Sequence, residues 1–446
     1  MRKEHVQKNS LPSWAIYLLV LAAVVLMSWF GLFYSHAKEE QDYAMTKAKA
    51  NELYQKQIFD ESLKCYQSCR KIHPRDTGVS QRIAQIYYRT GKYSKAVEEC
   101  DKLLEKQPKW ETVQLLKAMC YEKQENWAKA AKVLRNIEHS ERATAMLREL
   151  KGKYTLDYQM KDWVSPWFTG KDKDLYCAAG KEKTAEVLSS RGKTLFTGDF
   201  SYLGPKSETE NLYPAKMGDQ FLFVDESGKR RLVPGEKFGF FGPFRDGWAV
   251  AELNGKYGYI DRNFRKAHFE YEKTYDYVNG HALVKKHGIY SLIDTQMRPL
   301  KQCAFLDIKE DFCHSVVHYG TMIGKTKNGV QIFNSNAELL SDFYADDICF
   351  PEESKGMMAF CKGSKWGFVT PHGQIVISPS FEEARSFSQG YAAVKLNGKW
   401  GYIDTTGKLI IPCEFKEAGA VTPQGSAWIK NQAGYQLLKL SIYETK

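Results

Sequence analysis

The sequence lacks the short motifs that announce a reaction. It contains no His-Glu-x-x-His, no Gly-x-Ser-x-Gly, no phosphate loop and no strand-linked Gly-x-Gly-x-x-Gly, and "GKTKNG" at 324–329 does not have the spacing of a phosphate cradle. This argues against an enzyme and against a bound cofactor. Its ten cysteines are scattered singly, without the spacing of a metal site or a redox pair, which sits poorly with an exported protein unless they pair. No basic block exceeds a few residues, and the net charge of +11 is spread over mixed Lys and Glu, which argues against a nucleic-acid surface.

What is present is enough apolar material to fold. With 43% hydrophobic and 26% charged residues in 446, the chain reads as two or three folded domains. Residues 14–34, "WAIYLLVLAAVVLMSWFGLFY", carry no charge and reach roughly 32 Å as a helix, with Trp14, Tyr17, Trp29 and Tyr34 towards the ends. This predicts a transmembrane helix after a short basic tail, 1–13. A cleaved signal peptide, with Ser35-His36-Ala37 at the cut, competes with it, but the apolar run is longer than a signal core of about 7 to 15 residues. Arg2, Lys3 and Lys8 balance Lys38, Lys47 and Lys49, so the brevity of the tail decides the expected orientation: N-terminus in the cytoplasm, bulk outside the membrane.

From about residue 43 the sequence is helical and repeats every 34 residues. Small residues recur at Ala50, Ala84 and Ala118, and at Ser62, Ala96 and Ala130; larger ones recur at Leu53, Tyr87 and Tyr121, and at Tyr66, Cys100 and Leu134. Pro74 and Pro108 close the first two units, and Gly91 divides the second. Small residues let paired helices approach, and the large ones fill the groove beside them. Cys69 and Cys100 fall on interior positions, which predicts packed thiols.

This pattern resembles the tetratricopeptide repeat (TPR) family: three units and a closing helix over 43–150. The resemblance implies a binding scaffold whose first helices line a concave face for a protein partner, here Lys47, Asn51, Tyr54, Gln85, Tyr88, Arg89, Met119 and Glu122. Lys47 and Asn51 match the start of a carboxylate clamp found in some members; Arg82, Thr112 and Leu116 depart from the rest of it, so a generic helix or extended peptide is the expected ligand.

After a linker at 151–174, a second repeat occupies 175–446. Its clearest copy, "GYAAVKLNGKWGYIDTTGKLIIP" at 390–412, places a Gly ten residues before an aromatic, as do Gly247/Tyr257, Gly280/Tyr290, Gly356/Trp366 and Gly425/Tyr435. The repeat position runs 221, 257, 290, 330, 366, 400, 435, with an eighth, degenerate unit near Ala185. Asn397-Gly398 between alternating segments predicts a tight hairpin, and Asp404-Thr405-Thr406-Gly407 a second turn into "KLIIP". Each unit then reads as a three-stranded meander. Three strands alone are marginal, so the modules must pack serially, with Gly401 leaving room for a neighbouring sheet.

These units resemble the WG-repeat (KWG) family, with Phe221, Tyr257, Tyr290, Trp366, Trp400 and Tyr435 as structural repeat positions. The resemblance implies binding more than any reaction. The expected architecture is multidomain: a transmembrane helix, an all-α TPR solenoid, and an all-β repeat domain that is propeller-like or an open β-solenoid.

Other candidates for chemistry are weak. His314 and His318 of "CHSVVH" read as strand residues about 13 Å apart, with Cys313 opposite, poor geometry for a shared ion. Asp346-Asp347 and Glu382-Glu383 read as solvated turn residues. No metal and no catalytic residue is expected. The function expected is a membrane-anchored scaffold of bacterial type for protein partners; the alternative is a cell-envelope glycan-binding protein using its aromatics.

Overall fold

The computed structural model describes residues 13–160, 163–168, 175–180, 185–189, 193–207 and 209–443. Most of the basic tail lies outside them. The described chain forms two compact units that meet in sequence at Leu147 and Arg148.

The first unit is helical: α1 (Ser13–Gln55), α2 (Phe59–Ile72), α3 (Thr77–Arg89), α4 (Tyr93–Lys106), α5 (Glu111–Lys123), α6 (Trp127–Arg135) and α7 (Glu141–Lys151), whose last turn belongs to the second unit. Helices pair as α1/α2, α3/α4 and α5/α6, as the 34-residue period requires. The small repeat residues Ala50, Ser62, Ala84, Ala96, Ala118 and Ala130 are all fully buried. At the first crossing Ser62 Oγ donates to Ala50 O at 2.8 Å, an approach a larger side chain would prevent. The turns between paired helices use a left-handed residue at the same repeat position, Gln57, Gly91 and Glu125.

The expected membrane crossing at 14–34 is not upheld, nor is the single-pass localisation that depended on it. Among the described residues no helix is long and apolar enough to cross a membrane. The apolar stretch is instead part of the 43-residue α1, which continues without a break through Lys38, Glu39, Glu40 and Asp42 into the array.

The second unit is a succession of small antiparallel sheets at 163–198, 200–232, 240–271, 273–302, 307–334, 347–381, 383–415 and 417–440, here sheets one to eight. Among the described residues seven of the eight have four strands and the fifth has three, so the expected three-stranded meander is one strand short. The missed strand is often a mere two residues, such as Glu383–Ala384, too short to show alternation. The expected linker at 151–174 contributes strands Tyr154–Met160 and Trp163–Phe168.

The sheets close into a ring. Buried clusters span neighbouring sheets: Val187 and Phe196 with Phe200 and Tyr213; Phe223 with Phe241 and Phe244; Tyr259 with Tyr277 and Val284; Leu292 with Phe333; Ile332 with Phe360; Phe368 with Phe387 and Val394. Between the seventh and eighth sheets, Tyr402 OH donates to Gly419 O (2.9 Å) and Ser388 Oγ to Val421 O (2.7 Å). The circle closes where Leu188 of the first sheet packs on Trp428, Tyr435 and Leu437 of the eighth. Strand Tyr154–Met160, first in the unit, pairs with the last, Gly434–Leu440, and completes the eighth sheet. A ring of eight such sheets is a β-propeller rather than an open solenoid.

The repeated residues can now be given physical reasons. Asn397 and Gly398 both adopt positive φ, 51° and 73°, which is the type I′ hairpin turn. Asp404 Oδ1 accepts from Thr406 N (2.9 Å) and Lys408 N (3.1 Å), and Asp225, Asp261 and Asp294 hold their turns in the same way. Gly401 does not make room for a neighbouring sheet. A Cβ there would lie 2.6 Å from Ile411 O and 2.7 Å from Pro412 O, the backbone of the fourth strand in its own sheet, where the register shifts between Trp400 and Tyr402.

Candidate interaction surface of the helical array

The eight residues expected to line the concave face lie on α1 (Lys47, Asn51, Tyr54), α3 (Gln85, Tyr88, Arg89) and α5 (Met119, Glu122), the first helix of each pair. The structure commits some of them elsewhere. Lys47 Nζ pairs with Asp76 Oδ2 at 2.6 Å and donates to Tyr43 OH at 2.9 Å. The bond to Asp76 raises the Lys47 pKa above its ordinary value. Burial acts to raise Asp76, but bonds from Lys47, Tyr43 and Val79 N outweigh it and hold the carboxyl below its usual range. Asp76 also caps α3 by accepting from Val79 N at 3.0 Å. Asn51 Oδ1 accepts from the buried Tyr66 hydroxyl at 2.5 Å. Lys47 and Asn51 therefore hold helices together.

Further along, a polar cluster bridges α1 and α3. Tyr54 OH lies 3.5 Å from Gln85 Oε1, Arg82 Nη1 donates to the same oxygen at 2.9 Å, and the Arg82 guanidinium lies 4.9 Å from the centre of the Tyr54 ring. A guanidinium carries five N–H donors, so the bond to Gln85 leaves donors for main-chain carbonyls or a carboxylate. Gln81 Nε2 donates to Thr112 Oγ1 on α5 at 3.1 Å, and Arg142 Nη2 of α7 approaches Met119 Sδ at 3.9 Å. Tyr88 is half-buried against Tyr93, with ring centres 5.8 Å apart, and burial raises its pKa; Arg89 is exposed.

The structure thus joins Tyr54 to Gln85 and brings no such contact between Lys47 or Asn51 and the other candidates. It adds Arg82, which the sequence reading weighed only as a departure from a clamp. Its position three residues before Gln85, on the same helical face, was the available signal.

In the ring, the repeat positions are mainly core. Phe221, Tyr290, Trp400 and Tyr435 are 4–6% exposed, while Tyr257 and Trp366 are half-buried. Arg385 lies between Trp400 and Trp428, 5.3 Å and 5.5 Å from their ring centres, and donates through Nε to Ala418 O at 2.7 Å. The acidic pairs, read as solvated, cap hairpins. Glu382 accepts from the amides of Asn397 and Gly398 (both 2.9 Å), Asp346 from Gly363 N (2.7 Å), and their neighbours Glu383 and Asp347 pair with Lys395 and Lys309 (both 2.6 Å).

His314 and His318 are not strand residues: 309–320 is a connection in which His314 has φ 58°. The two rings take separate partners, Glu310 (3.2 Å) and Asp311 (3.1 Å). No cluster of three or more potential metal ligands is found among the described residues. No disulfide is formed among the nine cysteines whose side chains are described; burial pushes the Cys69 and Cys100 thiols up, and Cys120 to about 12, as inert packed groups behave.

The chain therefore joins a TPR-like helical region to a ring of repeated small sheets, part of which is similar to WG repeats. The family model for WG containing repeats matches residues 223–257, 257–290, 366–400 and 400–434, and that for the N-terminal TPR repeats region of Psidin matches 80–164. Similar solved structures include the first TPR of Spaghetti (RPAP3) bound to an HSP90 peptide, 20% identical over 24% of this chain and 90% of that one, TM-score 0.23. Yeast Tom70 is 22% identical over 24% of this chain and 23% of its own, TM-score 0.23. The dihydro-heme d1 dehydrogenase NirN is 14% identical over 66% of this chain and 77% of its own, TM-score 0.42. No curated protein matches the chain.

Proposed function

We propose that this protein is a non-enzymatic interaction scaffold whose helical array receives an extended segment of a protein partner along α1, α3 and α5. The observation that carries the reading is the Tyr54–Arg82–Gln85 cluster, which joins two first helices and presents guanidinium, amide and aromatic groups together. Such a set recognises a peptide by main-chain hydrogen bonds and one acidic or carbonyl-rich contact, the geometry in which arginine exceeds lysine. The ring presents the second and larger surface. Glycan stacking on the repeat aromatics is not favoured, because Phe221, Tyr290, Trp400 and Tyr435 lie within the core.

Screening the full chain against a library of unstructured peptides tests this. Arg82→Ala is expected to lower affinity for the selected peptides about tenfold, the loss of one charge-assisted contact, with unchanged helix content. Equal affinity in Arg82→Ala and Tyr54→Ala would remove the cluster from the binding site.

A further inference from the structure

Successive repeat positions are 33 to 36 residues apart, except for 40 between Tyr290 and Val330. The surplus lies between the first two strands of the fifth sheet, where twelve residues (309–320) replace the six (275–280 and 385–390) of the fourth and seventh sheets. This connection leaves its own sheet. The Phe312 ring lies 6.1 Å from that of Tyr202 in the second sheet, and the His314 ring meets Phe240 of the third edge-on at 4.7 Å. Glu310 pairs with Lys273 of the fourth sheet (3.2 Å). On the other side, His318 stacks on Phe350 at 4.1 Å and Lys309 pairs with Asp347 of the sixth sheet at 2.6 Å. In a ring of eight, the second and fifth sheets are three places apart, so their contact runs across the middle rather than around the rim.

We propose that residues 309–320 are a strap that closes one mouth of the ring, latched by Phe312 and His314 on one side and by His318 on the other, and poised to open. Val316 and Val317, 2% and 6% exposed, anchor the far end of the strap in the core shared by the fourth and fifth sheets, and Cys313, between the two latch residues, is 8% exposed. The poise comes from Tyr202, 8% exposed, whose hydroxyl is buried without a hydrogen-bond partner. An unpaired buried hydroxyl destabilises the closed state, and opening relieves it by admitting water. Phe312 itself is 59% exposed, so the latch is reached from outside, where a partner seated on the mouth would engage it first.

Cys313 is a native reporter of the strap, and thiol labelling of the full chain reads it, with half-buried Cys361 and Cys413 as internal references. Cys313 is expected to react at least tenfold more slowly than Cys361. Phe312→Ala and His314→Ala should each accelerate Cys313 tenfold or more and leave the references unchanged, and Tyr202→Phe should slow it several-fold. Labelling of Cys313 as fast as Cys361 in the unaltered chain, or a Cys313 rate that neither latch substitution moves, would overturn the strap. A Tyr202→Phe rate equal to or above the unaltered one would overturn its poise. If an alanine variant also accelerates Cys413, the sheets have loosened. Phe312→Leu then decides, with acceleration confined to Cys313 expected and an unchanged rate contradicting the latch.

Discussion

Single atoms decide several features of this chain. At Gly401 an added methyl would sit 2.6 Å from Ile411 O, and the opposing atoms are backbone that cannot swing away. Gly401→Ala is expected to cost about 1–3 kcal/mol as an overpacked site, seen as a lower melting temperature of the ring with unchanged helical signal. In the array, Asp76 combines the α3 cap with the Lys47 pair. Its folded pKa is depressed, so its contribution is complete above the unfolded value of about 4 and is lost as pH falls through the lower folded value. The raised pKa of Lys47 keeps that partner's contribution intact below about 10.5, so on the acid side of neutrality only protonation of Asp76 should dissolve the pair. Asp76→Ala should destabilise the helical unit by about 1 kcal/mol at pH 7 through loss of the cap. Thermal melts at pH 7 and pH 2 should show the difference between variant and unaltered chain shrinking in acid; a difference independent of pH would contradict the assignment.

Elements were legible where their period was local and regular. Ala50, Ala84 and Ala118 located the helix crossings, and Asn397-Gly398 with Asp404 located two turns of a sheet. Elements that owe their existence to distant partners were not legible. Glu383–Ala384 is a strand because Val394 and Lys395 lie opposite, and Tyr154–Met160 is one because Gly434–Leu440 does. Neither segment announces itself. The apolar run at 14–34 misled for a related reason: composition gave its length and hydropathy but not the 43-residue helix that contains it. For the candidate surface, helical position placed Tyr54 and Gln85 correctly, whereas the engagement of Lys47 by Asp76 depended on a residue 29 positions away. Trp400 tests the packing reading of the repeat. At 6% exposure, with Arg385 against its face, Trp400→Ala should cost about 3–5 kcal/mol. Hydrogen exchange in 391–404 and 417–431 should quicken together; a variant of normal stability would mean that the tryptophan serves binding instead.

For the ring as a whole, closure is the feature on which the rest depends. An open row of sheets would leave two unmatched ends, whereas here strand Tyr154–Met160 and the packing of Leu188 on Trp428 join them. A double substitution, Thr155→Pro with Leu156→Pro, removes amides pointing to both edges of that strand and should cost about 3 kcal/mol or more. Calorimetry is expected to show the ring losing its single transition; a single transition at the same temperature would mean that the pairing adds nothing to closure. The scaffold reading can be tested most directly by photo-crosslinking in the native cell, with a photoreactive phenylalanine analogue placed at Tyr88 or Arg89 on α3 and, as control, at Lys95 on α4. A defined protein adduct from the α3 positions, lost when Arg82→Ala is added and absent from the Lys95 control, is what the scaffold account predicts. Identical adducts from all three positions, or adducts indifferent to Arg82→Ala, would contradict it.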